Sequence, residues 1–335
     1  MKVSVLITAA AVLSLNGIAR EAVAQKHFNP VVDVLEARKP VFGLYAPTNR
    51  RAGRGGPPLP ADSVKTPAML AKVAITNKTA DFIFDGSMEE DLNVAFPTFA
   101  AYMKGLAAAP FVSKAGGYPH LTHPMFIKTH EIADNYDSAA VHIARQLNEG
   151  ASNITFVGVE SAAEVTKGLH MMRFKSKGGT RPDHVGNAPS IWGMTEARYK
   201  EKADVWPLNP KGELVNFTIV ESKEGLAHVR EIAAVKGIGV LFPGAGTLRQ
   251  VFSTADASGA RVLDEKAWEA SIQQVLAACK EFHVPCGYPA TEKDIEARMQ
   301  QGFSVFIINW GDAGFRAVDI GRKASGRAAT NTTNN

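Results

Sequence analysis

The sequence predicts an α/β protein built on a parallel sheet of eight strands, and three observations lead there. Short runs rich in Val, Ile and Phe recur along the chain. Stretches with apolar residues at helical spacing separate them. The composition, 45% hydrophobic and 21% charged over 335 residues, supplies ample material for a large core. Strands that are nearly continuous in apolar residues are buried on both faces, which is the habit of parallel sheets covered by helices.

The predicted strands are Pro40–Pro47, Asp81–Gly86, Met125–Thr129, Asn153–Val159, Val215–Glu221, Gly237–Gly244, Val284–Tyr288 and Ser304–Asn309. Between them, Trp268, Ile272, Val275, Leu276 and Cys279 form one helical stripe, and Ala140, Ile143, Ala144 and Leu147 another that Gly150 would end. Ser161 and Glu164 have capping-box spacing straight after a strand, and Ser222 is placed to cap the helix carrying Leu226, Val229 and Ile232. A closed barrel and an open doubly wound sheet both satisfy this alternation. No GxGxxG follows the first strand and no GxxxxGK[ST] occurs, which argues against dinucleotide and phosphate-loop chemistry.

The N-terminus reads as a secretory signal. Lys2 precedes the apolar run Val3–Leu15, Asn16-Gly17 ends it, and Ala22-Val23-Ala24 is a small-x-small cleavage site. The run of 13 residues is short for a membrane span. The expectation is a signal peptide over residues 1–24, a single domain over 25–325, a disordered tail over 326–335, and a periplasmic or secreted protein. The low-complexity stretch Arg322–Asn335 leads into that tail, Asn49–Asp62 reads as a solvated loop, and Lys175–Pro207 as a long polar connection. A formal charge of +4 gives no reason to expect nucleic acid or an anionic membrane as partner. Cys279 and Cys286 would join a helix face to the next strand, a geometry that favours two packed thiols over a disulfide.

If the sheet closes into a barrel, reactive groups gather where strands give way to loops at their C-terminal ends. Those positions carry Asp85, Lys128, Glu160, Glu221, Thr247, Tyr288, Asn309 and Asp312. Each also has a plain structural reading: Asp85 as a turn residue before Gly86, Glu160 and Glu221 as helix N-terminal acids, Lys128 as a lysine reaching solvent. His120, His123 and His130 flank the third strand and are expected near the same mouth.

Several stretches resemble the HpcH/HpaI aldolase family. Asn29–Asn49 is similar to the family's opening helix and first strand, Asp81–Glu89 to its second strand, and Thr155–Glu164 to its fourth strand and following helix. Phe217–Leu248 resembles strands five and six without a gap, and Gly302–Phe315 the last strand. The resemblance implies a (β/α)8 TIM barrel of the pyruvate/phosphoenolpyruvate type, a carbon–carbon lyase acting on a 2-oxo-acid or aromatic aldol-type substrate, and a homo-oligomer. It further implies a divalent metal (Mg, Mn or Co) held by one Glu and one Asp, an Arg on the enolate, and a His–Asp pair for proton transfer. Carried over, Glu221 stands at the metal-binding Glu and Asp85 at the Asp of the base pair. Thr247 falls at the metal-binding Asp, Met88 at the His and Lys128 at the Arg, so three positions depart.

The expected site therefore has Glu221 as metal ligand, Asp85, Lys128, His123 and His130 as catalytic groups, and Gly244, Thr247 and Glu160 around the substrate. Lysine keeps the positive charge without a bidentate fork, threonine is a weak ligand for a hard cation, and methionine is no base. These losses motivate a second reading, an exported binding protein on a catalytically degenerate barrel.

Overall fold

The computed structural model describes residues 26–49, 60, 63–257 and 259–327. The expected signal segment, most of the Asn49–Asp62 loop and the chain from 328 onward lie outside the described residues.

All eight predicted runs are strands: β1 Val41–Tyr45, β2 Phe82–Asp85, β3 Met125–Lys128, β4 Asn153–Phe156, β5 Leu214–Val220, β6 Val240–Pro243, β7 Gly287–Pro289 and β8 Val305–Ile308. Consecutive strands pair in parallel from β1 through β6 and from β7 to β8, and β1 pairs with β8 as well as with β2. The seam between β6 and β7 is closed by a single parallel bridge, Leu241 to Cys286, with the Leu241 N–H donating to the Pro285 carbonyl at 3.0 Å. The sheet is thus a closed (β/α)8 barrel, and the open alternative is excluded by the closure. Parallel neighbours need crossover connections, which place the intervening helices on the outside.

Side chains alternate in and out along each strand. Phe82, Phe126, Phe217 and Phe242 point inward and pack as a ring cluster, with Phe82 and Phe126 centroids 4.5 Å apart and Phe126 and Phe217 5.1 Å apart. Room for them comes from glycines: a Cβ on Gly43 would overlap the Phe82 ring, and one on Gly287 the Phe242 ring. The N-terminal end is plugged by helix α1, Pro30–Glu36. Asn29 caps it through Val31 N, Pro30 sits at its first position, and Val31, Val32, Val34 and Leu35 join the barrel interior.

Three expectations are corrected. Cys279 and Cys286 form a disulfide, their Cα atoms 5.6 Å apart. The helix Glu265–Phe282 ends at His283 in the left-handed conformation, and this sharp exit returns the chain beside the helix face. The stretch from Arg322 is ordered as far as Arg327. Arg322 lies in the helix Asp312–Ala324, and the Arg327 guanidinium donates to the Pro40 carbonyl and to Asp81, each at 2.6 Å. The Lys175–Pro207 connection is more than a polar loop, since Trp192 and Tyr199 are buried within it and Arg181 stacks on Phe174 at 4.2 Å. Among the described residues no helix is long and apolar enough to cross a membrane.

Candidate active site

A cavity of about 220 Å³ opens at the C-terminal mouth of the barrel, lined by Tyr45, Lys128, Glu221, Gly244, Thr247 and Pro289 among others. Lys128, the last residue of β3, follows the inward register of Phe126. Its ammonium group donates to Glu89 Oε2 at 2.8 Å. Glu221 follows β5 two residues after inward-facing Ile219. Its Oε1 accepts from the Gly158 N–H at 3.0 Å. Gly244 has no room for a side chain, because a Cβ there would collide with the Glu221 side chain. Thr247 lies on the exposed rim in the helix Ala245–Val251.

Other predicted residues are placed differently. Asp85 Oδ1 accepts from the Ser87 N–H at 2.8 Å and Oδ2 from the Ser87 hydroxyl at 3.1 Å, so its carboxylate organises the turn after β2. It lines a neighbouring cavity of about 560 Å³ together with Tyr102 and Asn49. Glu160 does not line this cavity, and its Oε1 accepts from the Ser222 hydroxyl at 2.7 Å. Met88, at the position expected for the base, is fully buried and lies 3.7 Å from Gln146 Nε2.

The histidines separate. His123 and His120 precede β3 and sit at the opposite end of the barrel from Lys128, which corrects the expectation that they gather at the mouth. His123 Nε2 donates to the Asn77 carbonyl at 2.5 Å, and burial pushes its pKa down to about 4, so it is a neutral structural group. His130 follows β3 and stands at the rim. Its Nδ1–H donates to the Glu89 carbonyl at 2.8 Å, and Nε2 lies 2.9 Å from Asp134 Oδ2. The Glu89 carbonyl, with Asp134 in support, holds its pKa above the usual imidazole range against the opposing effect of burial.

Two mouth residues were not anticipated. Tyr45 is the inward position of β1 after Val41 and Gly43, and burial raises its phenol pKa. Glu131 packs against Gly158, where a Cβ would lie 2.6 Å from Glu131 Oε1. Burial raises its carboxyl pKa, and the nearby Asp134 and Glu221 charges raise it further. Glu131 and Glu221 therefore flank one glycine, and the mouth carries a surplus of carboxylate. Two carboxylates with the rest of the shell left to water and substrate is the way Mg²⁺ is commonly held, so this donor set fits a hard divalent ion.

An eight-stranded barrel with charged groups converging at this mouth belongs to the (β/α)8 class whose sites lie at the strand C-termini. Its fold is that of the HpcH/HpaI aldolase/citrate lyase family, as the sequence resemblance implied. A family protein from Burkholderia cenocepacia J2315 superposes with a TM-score of 0.60 at 18% identity, covering 84% of this chain and 92% of that one. Macrophomate synthase gives 0.57 at 14% identity, covering 95% and 97%. An HpcH/HpaI aldolase from Desulfitobacterium hafniense DCB-2 gives 0.56 at 15% identity, covering 89% and 96%. No protein-family model and no curated protein sequence matches the chain.

Proposed function

We propose that this protein is a divergent, exported carbon–carbon lyase of the aldolase type, acting on a small 2-oxo-acid or aromatic aldol-type substrate. The observation that carries this is the shared cavity of Lys128 and Glu221 at the barrel mouth. Cleaving a C–C bond beside a carbonyl leaves an enolate, and fixed positive charge at that oxygen lowers the barrier. Lys128 supplies such charge, and Glu89 holds its ammonium group in place.

A divalent ion at this mouth would be held by Glu221 and Glu131, and when bound it supplies Lewis-acid polarisation of the substrate carbonyl. Gly158 spaces the two carboxylates through its N–H and its missing side chain. Proton transfer falls to His130. With Nδ1–H committed to Glu89 and Nε2 beside Asp134, its proton is held tightly and exchanged at one defined atom, Nε2. Aromatic and apolar walls from Tyr45, Phe84 and Phe242 limit water in the cavity.

Export rests on the signal-like N-terminus, and the Cys279–Cys286 disulfide supports it, since such bonds persist in oxidising compartments. A homo-oligomeric state belongs to the same proposal.

The test is retro-aldol turnover of the purified protein on 4-hydroxy-2-oxo acids and aromatic aldols, with chelator and with Mg²⁺, Mn²⁺ or Co²⁺. Metal-dependent release of pyruvate or an aldehyde, abolished by Glu221→Ala, is expected. The buried Met88 favours the second reading, a binding barrel without turnover. Tight, metal-insensitive ligand binding with no product under any condition would establish that instead.

A further inference from the structure

We propose that His27, Asp33 and Glu36 form a site for one divalent transition-metal ion, Zn²⁺ foremost, at the plugged end of the barrel. This site is separate from the mouth and has no part in the lyase reading. Asp33 and Glu36 lie three residues apart on α1 and share a face, and His27 comes from the segment entering that helix. One donor atom from each of the three residues lies within 4.8 Å of the others.

The imidazole is the telling group. Its side chain is only 8% exposed, with Nε2 3.4 Å from Glu36 Oε1 and Nδ1 3.4 Å from Glu213 Oε2. Nδ1 thus has the Glu213 carboxylate beside it, and Nε2 is the nitrogen turned toward the Glu36 carboxylate. The separation is too long for a good hydrogen bond, yet two ligands at zinc bond lengths of about 2.0–2.1 Å on a tetrahedral ion stand roughly 3.3 Å apart. The Nε2–Oε1 distance matches that edge.

Charge points the same way. Three carboxylates, Asp33, Glu36 and Glu213, surround this imidazole. Lys202 Nζ lies 3.3 Å from Glu213 Oε1 and balances that one, which leaves the Asp33 and Glu36 carboxylates to offset a dication. Each ligand also has an outer partner. Glu213 faces His27 Nδ1, Trp206 Nε1 donates to Glu36 Oε1 at 3.3 Å, and the backbone N–H groups of Lys26 and His27 donate to Asp33 Oδ1 at 3.0 and 3.2 Å. A carboxylate behind the free nitrogen of a ligating histidine, and held carboxylate ligands, are the usual supports of a metal centre. Imidazole with carboxylate selects Zn²⁺ and its neighbours over Mg²⁺ or Ca²⁺. The ion would pin the segment before Asn29 to the helix that plugs the barrel.

The test is titration of the metal-stripped protein, carrying no histidine tag, with Zn²⁺ and with Co²⁺. Expected are one equivalent bound outside the mouth, the intense visible Co²⁺ absorption of a four-coordinate site, and a Tm raised by Zn²⁺. His27→Gln and Glu36→Gln should each weaken this equivalent by roughly tenfold or more, and Glu213→Gln by about 10–100-fold. Glu221→Gln should leave it intact. The Glu36 side chain is 32% exposed, so its variant should fold even if the His27 variant does not; far-UV circular dichroism checks this. No stoichiometric binding by the wild type, or binding unchanged in Glu36→Gln, overturns the proposal.

Discussion

Lys128 carries most of the chemistry expected at the mouth, and it is the residue to remove first. Lys128→Ala should lower kcat/KM for retro-aldol cleavage by roughly 10²–10³-fold while leaving the fold intact, as read by steady-state kinetics and circular dichroism. His130 gives a pH signature. Its pKa is raised in the folded protein, so it becomes unprotonated only above the usual imidazole range, and a base at this position works only there. Turnover should therefore rise with pH through a raised apparent pKa, and this limb should vanish in His130→Gln. Met88 shows why sequence position is not geometry. It occupies the expected base position, yet its side chain is buried against Gln146, so Met88→His should restore no activity and should cost roughly 1–3 kcal/mol by burying an imidazole without a designed partner. Lys128 and Glu221 were legible because a charged residue ending an apolar strand is itself a signal. His123 was misread because residues just before and just after a strand are near in sequence but lie at opposite ends, about 16 Å apart over five extended residues. Tyr45 was hidden by its plain aromatic type, and Glu131 by a role that depends on the turn at Gly158.

At the scale of elements, the connection between β4 and β5 is held by half-buried Arg173 and buried Asp204, with Nε 2.7 Å from Oδ1. Burial pulls the Asp204 carboxyl upward, but Arg173, Asn209 and the Val205 N–H outweigh it and the net pKa is lowered. A carboxylate with a depressed folded pKa stabilises fully above its unfolded pKa and loses that contribution as pH falls through the folded value. Stability at neutral pH should therefore include this pair, and acid should remove it only below the ordinary carboxylate range. Arg173→Met leaves Asp204 buried and unpaired and should cost about 3–5 kcal/mol in chemical denaturation at pH 7, with a smaller cost in strong acid. The polarity of Lys175–Pro207 concealed this element. Its buried Arg181 donates to Asn148 and stacks on Phe174, and Trp192 and Tyr199 bury themselves only once Gly150 and Leu147 are there to accept their donors, at 2.8 and 2.9 Å.

For the whole molecule, the seam between β6 and β7 is the narrowest part of the closure, and Cys286 is the residue that bridges it. The disulfide ties this residue to the helix outside, across a separation of seven positions. Removing so short a cross-link should cost about 2.5 kcal/mol on the chain-entropy account. Cys279→Ala with Cys286→Ala should lower the denaturation midpoint accordingly, and hydrogen exchange at Leu241 should rise more than at β2 or β3.

The sequence by itself determined the strands, because eight apolar runs of the right length separated by capped amphipathic stretches leave little freedom in element type. It also determined the charged ends of β3 and β5. Periodicity is a local property, however, and closure is not. The pairing of β1 with β8 joins residues at opposite ends of the chain, and only the interlocking of Phe82 with Gly43 and Phe242 with Gly287 makes a barrel of that size fill. The tertiary structure likewise decided the disulfide, the pairing of Glu131 with Glu221 around Gly158, and the convergence of His27 with Asp33 and Glu36. Each depends on where the backbone turns in space, which spacing along the chain does not encode.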